Sequence, residues 1–137
     1  MENFDDFILN LQLTVYLMVL KIPPNLNGYS YIKSGITKIV KDLSKKHNVN
    51  NRLYNEIAEE YNVPKSLIDR SMRHAIKVSV KRNGISDFEK YSSIEFSSEN
   101  PTPRELISML SEIAILDKDR FVRDFKEKKN YTTYFND

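Results

Sequence analysis

Apolar residues return at helical spacing along most of the chain, and the pattern predicts a succession of helices. Phe4, Phe7, Ile8, Leu11, Val15, Met18 and Val19 form the first stripe, which should end before Pro23-Pro24. Asn25 is the expected cap of a second helix carrying Tyr29, Ile32, Ile36, Ile39, Val40 and Leu43, with Lys45-Lys46-His47-Asn48 at its end. Asn50 or Asn51 is the expected cap of a third, with Leu53, Tyr54, Ile57, Ala58 and Tyr61 on one face. Pro64 suits a first helical turn, so a fourth helix is predicted over about 64–82, stopped by Asn83-Gly84. Residues 85–100 are mixed: a short helix near 87–90 and an extended piece at 93–96. Thr102, Pro103 and Glu105 then open a helix with Leu106, Ile107, Met109, Leu110 and Ile113 inward. Beyond it, charges alternate with Phe121, Val122 and Phe125, giving a further helix and a loose tail over 131–137.

The third and fourth of these helices are separated by only a tight turn, Tyr61-Asn62-Val63, and the second of the pair is basic. That is the pattern of a helix-turn-helix, whose second helix enters the DNA major groove. At ~100° per residue, Ser66, Arg73, His74, Lys77 and Lys81 share the side of the helix centred on Arg70. Ile68, Met72, Ala75 and Ser79 lie opposite, with Ile76 towards the edge, so this side should pack on the third helix and leave the basic side free. Arg70 and Arg73 stand one turn apart and early enough to reach base edges; an arginine can donate two hydrogen bonds to guanine. Asp69 can accept from a cytosine amino group or orient an arginine. Lys77, Lys81 and Arg82 lie further along and suit phosphates, as does Lys65 at the helix start. A basic amphipathic helix on its own is usually only a solvated face. Ile57-Ala58, the turn and Ile68 move the balance to DNA, since a small residue at Ala58 permits close approach of two helices.

Composition narrows the remaining classes. A length of 137 residues favours one domain, and 40% hydrophobic with 29% charged residues is ordinary for a globular protein. Only 3 Gly and 5 Pro favour helices over a turn-rich sandwich, hence an all-α class. There is no cysteine, which removes disulfides and thiolate metal sites. The formal net charge is only +2, but between Val63 and Gly84 stand Lys65, Arg70, Arg73, Lys77, Lys81 and Arg82 against the single anion Asp69. A local basic stripe on a near-neutral chain is an electrostatic footprint. The apolar run 11–20 falls short of the ~20 residues of a membrane span, and its acidic start does not suit a secretory signal; a cytoplasmic, nucleoid-associated protein with no membrane contact is expected. His47 and His74 lack a carboxylate pattern for a metal, Gly28 is no phosphate loop, and no cofactor is implied. Glu59-Glu60 reads as a solvated face, Tyr29 and Tyr31 as helix packing, and the methionines as core. No nucleophile, base and oxyanion arrangement is visible, so enzyme activity is not expected.

Four stretches together give a family resemblance. They are Ile22-Pro23 leading to Gly28-Tyr29-Ser30-Tyr31-Ile32-Lys33; Leu53-Tyr54 before Ile57-Ala58 and Tyr61-Asn62; Ser66 with Ile68-Asp69-Arg70 and Arg73-His74-Ala75-Ile76; and Pro101-Thr102 with Glu105 and Ile107-Ser108-Met109. In these the chain resembles the C-terminal effector domain of the stage-zero sporulation protein A family, sporulation initiation response regulators of endospore-forming bacteria. The Arg-x-x-Arg-His-Ala-Ile block is the specific part. The resemblance runs from about 11 to 115 and implies a bundle of about six helices, with a domain over 1–116 and a charged extension over 117–137. It implies binding to a short double-stranded operator element, often as a tandem homodimer through the helix opened by Thr102. It also implies base contacts from the positions of Asp69, Arg70 and Arg73. Lys65, Ser66, His74, Lys77, Lys81 and Arg82 complete the expected interface along the backbone-facing side of the helix. Leu67 replaces a family arginine, Lys77 a family acidic residue and Val80 a family tryptophan. The family's phosphoacceptor receiver has no counterpart in the sequence, so DNA binding is expected to be independent of phosphodonor. The expected function is a sequence-specific bacterial transcription regulator connected with sporulation. The competing reading is an interaction module that antagonises a full-length sporulation regulator by pairing with it.

Overall fold

The computed structural model describes residues 3–43 and 49–135, and among these the chain forms six α-helices and no strand. They are α1 (Phe4–Val19), α2 (Asn27–Lys41), α3 (Tyr54–Tyr61), α4 (Lys65–Lys81), α5 (Gly84–Ser92) and α6 (Pro103–Phe135), with a π-helical turn at Val49–Leu53. The helical class expected from the apolar spacing is the one that forms. Lys45, Lys46, His47 and Asn48, expected to end the second helix, lie outside the described residues.

The inward face of α1 differs from the expected stripe. Ile8, Leu9, Gln12, Leu13, Tyr16 and Leu17 are buried, whereas Met18 is 70% exposed and Leu11, Val15 and Val19 are only half-buried. A polar residue misleads the pattern: Gln12 is in the core because its Nε2 donates to the Ala114 carbonyl of α6 at 2.8 Å. Tyr16 presents its ring to Phe88 and Phe121 at centroid distances of 5.8 and 5.9 Å. Asn3 caps the helix by accepting from the Asp6 N–H at 2.8 Å. The other end closes before the prolines. Lys21 takes a left-handed φ of 58°, Ile22 N–H donates to Leu17 O, and Lys21 N–H donates to Met18 O, the paired bonds of a Schellman cap.

α2 begins after Leu26 rather than at an Asn25 cap, and no side chain caps it. Its buried face is Gly28, Tyr31, Ile32, Gly35, Ile36 and Ile39, while Leu43 beyond its end is 56% exposed. The glycines let neighbours approach: a Cβ at Gly28 would stand 2.3 Å from the Ser71 carbonyl oxygen of α4. α4 consequently packs chiefly on α2, with α3 a second support, where the sequence pattern assigned α3 alone. α3 starts from the π-helical turn without an asparagine cap; Asn51 instead accepts from Lys65 at 3.5 Å.

α5 covers the whole of Gly84–Ser92, longer than the short helix expected, and 94–96 carry no regular secondary structure. Thr102 caps α6 as expected, its Oγ1 accepting from the Glu105 N–H at 3.1 Å. The Glu105 carboxylate turns instead to the backbone and hydroxyl of Ser97. α6 then runs unbroken to Phe135, so 131–135 continue the helix rather than forming a loose tail. Its distal part folds along α1: Phe125 meets Phe7 and Phe4 at 5.3 and 6.3 Å, and Lys118 pairs with Asp5 at 3.0 Å.

Ser79 is fully buried, and its hydroxyl has no hydrogen-bond partner. A buried unpaired hydroxyl costs about 1–3 kcal/mol, of which alanine recovers the desolvation part. Ser79→Ala is therefore expected to leave the unfolding free energy unchanged or raise it by up to about 1 kcal/mol. A clear fall in a urea titration would contradict this.

Candidate nucleic-acid interface

The turn between α3 and α4 follows from one residue. Asn62 adopts φ 53°, a left-handed conformation that asparagine tolerates better than most residues. Asn62 N–H donates to Glu59 O at 3.2 Å and Val63 N–H to Ala58 O at 3.0 Å, again a Schellman cap. Pro64, extended at φ −65°, then starts α4 without needing an N–H of its own. α3 is also held from behind: Glu60 takes hydrogen bonds from Ser34 and Lys38 of α2, so it is more than a solvated acid, while Glu59 stays exposed. Tyr31 is buried and meets the Tyr61 ring edge-on at 5.0 Å, consistent with packing rather than base stacking.

α4 divides cleanly. Ile68, Met72, Ala75, Ile76 and Ser79 are buried, the set expected from helical angles. Lys65, Ser66, Arg70, Arg73, His74, Lys77, Lys81 and Arg82 are all exposed, and Asp69 is partly exposed. The structure thus places every candidate contact residue on the solvent side of one helix, with Arg82 just beyond its last turn. Arg73 does not extend freely: its Nε donates to Asp69 Oδ2 at 2.8 Å, one turn back. That hydrogen bond, with the carboxylate charge, holds the guanidinium pKa above its ordinary value.

Two contributors escape sequence reasoning. Tyr54, the first residue of α3, is buried near Asp69; burial, then the Asp69 charge, push the phenol up to about 12. Lys21, in the cap of α1, donates to the Arg82 carbonyl at 3.0 Å and pairs with Asp87 at 2.8 Å. It fastens the C-terminal end of α4, where a cation is also favoured by the helix dipole. Both pairs join residues far apart in sequence, and no local spacing marks them.

Among the described residues no group of His, Asp and Glu is placed to hold a metal ion, and no helix is long and apolar enough to cross a membrane. A helix pair joined by a three-residue turn, with the second helix presenting one basic face, defines the class: a helix-turn-helix domain. The family model described as sporulation initiation factor Spo0A C terminal matches residues 13–113. The chain belongs to that family, a sporulation-related DNA-binding effector domain. The match ends within α6, so the stretch that folds back along the start of α1 lies outside it.

Proposed function

We propose that the chain is a sequence-specific transcription regulator that lays α4 in the major groove of a double-stranded operator. The observation that carries this is the single exposed face on which Arg70, Arg73, His74, Lys77 and Lys81 stand together, above a fully apolar or small buried face. In this reading Arg70 and Arg73 donate to guanine edges and Asp69 orients Arg73. Lys65, Ser66, His74, Lys77, Lys81 and Arg82 serve the flanking phosphates and position the helix. Tandem occupancy belongs to the same proposal. α6 leaves Ile115 40% and Leu116 74% exposed, a small apolar patch on the helix expected to meet a neighbouring copy. The test is a gel shift against an operator of the sporulation regulator, with one or two sites, beside a scrambled duplex. Tighter binding to the operator supports the reading, and equal binding to both sequences overturns it.

Lys77 separates positioning from reading. Its exposed place two turns from the start of the arginine pair suits a phosphate, which carries no base information. Lys77→Ala should weaken operator and scrambled DNA about equally and flatten the salt slope by roughly one unit. Titrations over a range of salt concentrations check this, and a loss confined to the operator would make Lys77 a reader of sequence.

A further inference from the structure

We propose that the outer face of α1 is a dimerisation surface for a second copy of this chain, the two helices packing antiparallel across a two-fold axis near Leu11. This contact is separate from the tandem contact assigned to α6, and it does not depend on the DNA-binding reading.

α1 is apolar on both sides. At ~100° per residue, Phe7, Leu11 and Met18 fall within ~25° of the direction opposite its buried residues, with Phe4 and Thr14 close by. Between Asp6 and Lys21 the sequence has no charged residue. Phe4 stays 47%, Phe7 41% and Met18 70% exposed, even with Phe125 against the two rings. A helix that is apolar all round is normally covered on every side. This face also supplies its own counterpart, as an isologous contact requires. One end carries the two half-exposed rings. At the other lies a surface cavity of about 220 Å³ lined by Met18, Ile22, Pro23, Pro24, Tyr29 and Arg82. A cavity of ~150 Å³ is enough to admit a benzene ring. With the axis at Leu11, position 4 of one copy meets position 18 of the other, so each Phe4 ring enters the other copy's cavity. The charges favour the same direction: Asp5 and Asp6, beside Phe4, approach Lys21 and Arg82, beside Met18. Those acids disfavour an anionic lipid surface, which takes helices rich in Lys and Arg. Phe4, Phe7 and Leu11 precede the residues 13–113 of the family match, so that match does not carry this surface. Of the residues assigned to DNA, Arg82 alone lines the cavity.

A contact the length of one 16-residue helix spans ~24 Å and belongs among the small specific interfaces. Dimerisation is therefore expected in the micromolar range. Sedimentation velocity of the full chain without DNA, over a roughly hundredfold range of concentration, should show monomer passing to dimer. Met18→Glu sets a carboxylate against Phe4 and Asp5 of the second copy and should weaken association at least about tenfold. Because Met18 is exposed, circular dichroism should not change. Leu116→Glu, on α6, should leave association as in the wild type. Cysteine tests the register, since the chain has none. On mild oxidation, a mixture of the Phe4→Cys and Met18→Cys variants should give a mixed disulfide dimer faster than either variant cross-links to itself. Should Met18→Glu fail to fold, the mixed oxidation decides. A wild type that stays monomeric throughout overturns the proposal, as does mixed cross-linking no faster than self-cross-linking. Association kept in Met18→Glu but lost in Leu116→Glu assigns the dimer to α6 and overturns it too. A monomer that co-sediments with phosphatidylglycerol vesicles gives the face to a membrane instead. None of these outcomes bears on operator binding, which the gel shift tests separately.

Discussion

Replacing both Arg70 and Arg73 by alanine should reduce operator binding nearly to the level of scrambled DNA. A well-placed arginine–guanine contact is worth about 1–3 kcal/mol of discrimination, so each single variant should lose roughly fivefold to a hundredfold in specific affinity. The two residues stand one turn apart on the exposed face of α4, close enough to be coupled, so the double loss need not equal the sum. Non-specific affinity should fall much less, because Lys65, Lys77, Lys81 and Arg82 still supply positive charge. Folding should be nearly untouched: Arg70 and Arg73 are both exposed, and the Arg73–Asp69 ion pair is surface-placed and worth at most about 1 kcal/mol. Anisotropy titrations on operator and scrambled duplexes, with circular dichroism to verify the fold, decide the matter. Undiminished discrimination in the double variant would remove α4 from the role of reader.

The largest effect on stability is expected at Gly84. A Cβ there would stand 1.8 Å from the carbonyl oxygen of Leu20 and 2.6 Å from the Ser79 hydroxyl. The nearest obstacle is backbone, so no side-chain rotation relieves it. The strands of chain that must separate are the cap of α1 and the junction of α4 with α5, which Lys21 also joins through Arg82 and Asp87. Overpacking of this kind usually costs about 1–3 kcal/mol and more where the backbone cannot yield, so Gly84→Ala should lose about 3 kcal/mol or fail to accumulate folded. Gly84 has no positive φ, so conformational freedom is not its role. Urea denaturation gives the answer, and a loss below about 1 kcal/mol would mean that the junction is looser than its packing implies.

The legible parts of this fold are those in which one helix face carries its own contrast. In α4 apolar and basic residues segregate so strongly that helical angles alone pick out Ile68, Met72, Ala75, Ile76 and Ser79 as buried. The Thr102 cap is equally legible, since it needs only a hydroxyl three residues before the N–H that it accepts. α1 defeats the same reasoning because a long-range partner, the Ala114 carbonyl, makes Gln12 a core residue and rotates the inward face. The expected caps at Asn25 and Asn51 fail for a related reason: a competent side chain at the right place forms a cap only if the backbone arrives there extended. On α4 the exposed basic residues were readable, and the partners at its inner side were not. Tyr54 under Asp69 and Lys21 under Arg82 depend on which helices become neighbours.

Gly28 seats the middle of α4 against backbone at Ser71, and Gly84 seats the junction just beyond its last turn against Leu20. Neither contact involves a side chain on the helix's outer face. In the proposed role, changes at Arg70 or Arg73 alter which sequence is preferred without shifting the rod that carries them. Such a mount favours diversification: substitutions on that exposed face leave the buried contacts of α4 in place, so the face can be randomised in a library while the scaffold is kept. The freedom of the outer surface is secured by two hydrogens on the inner one.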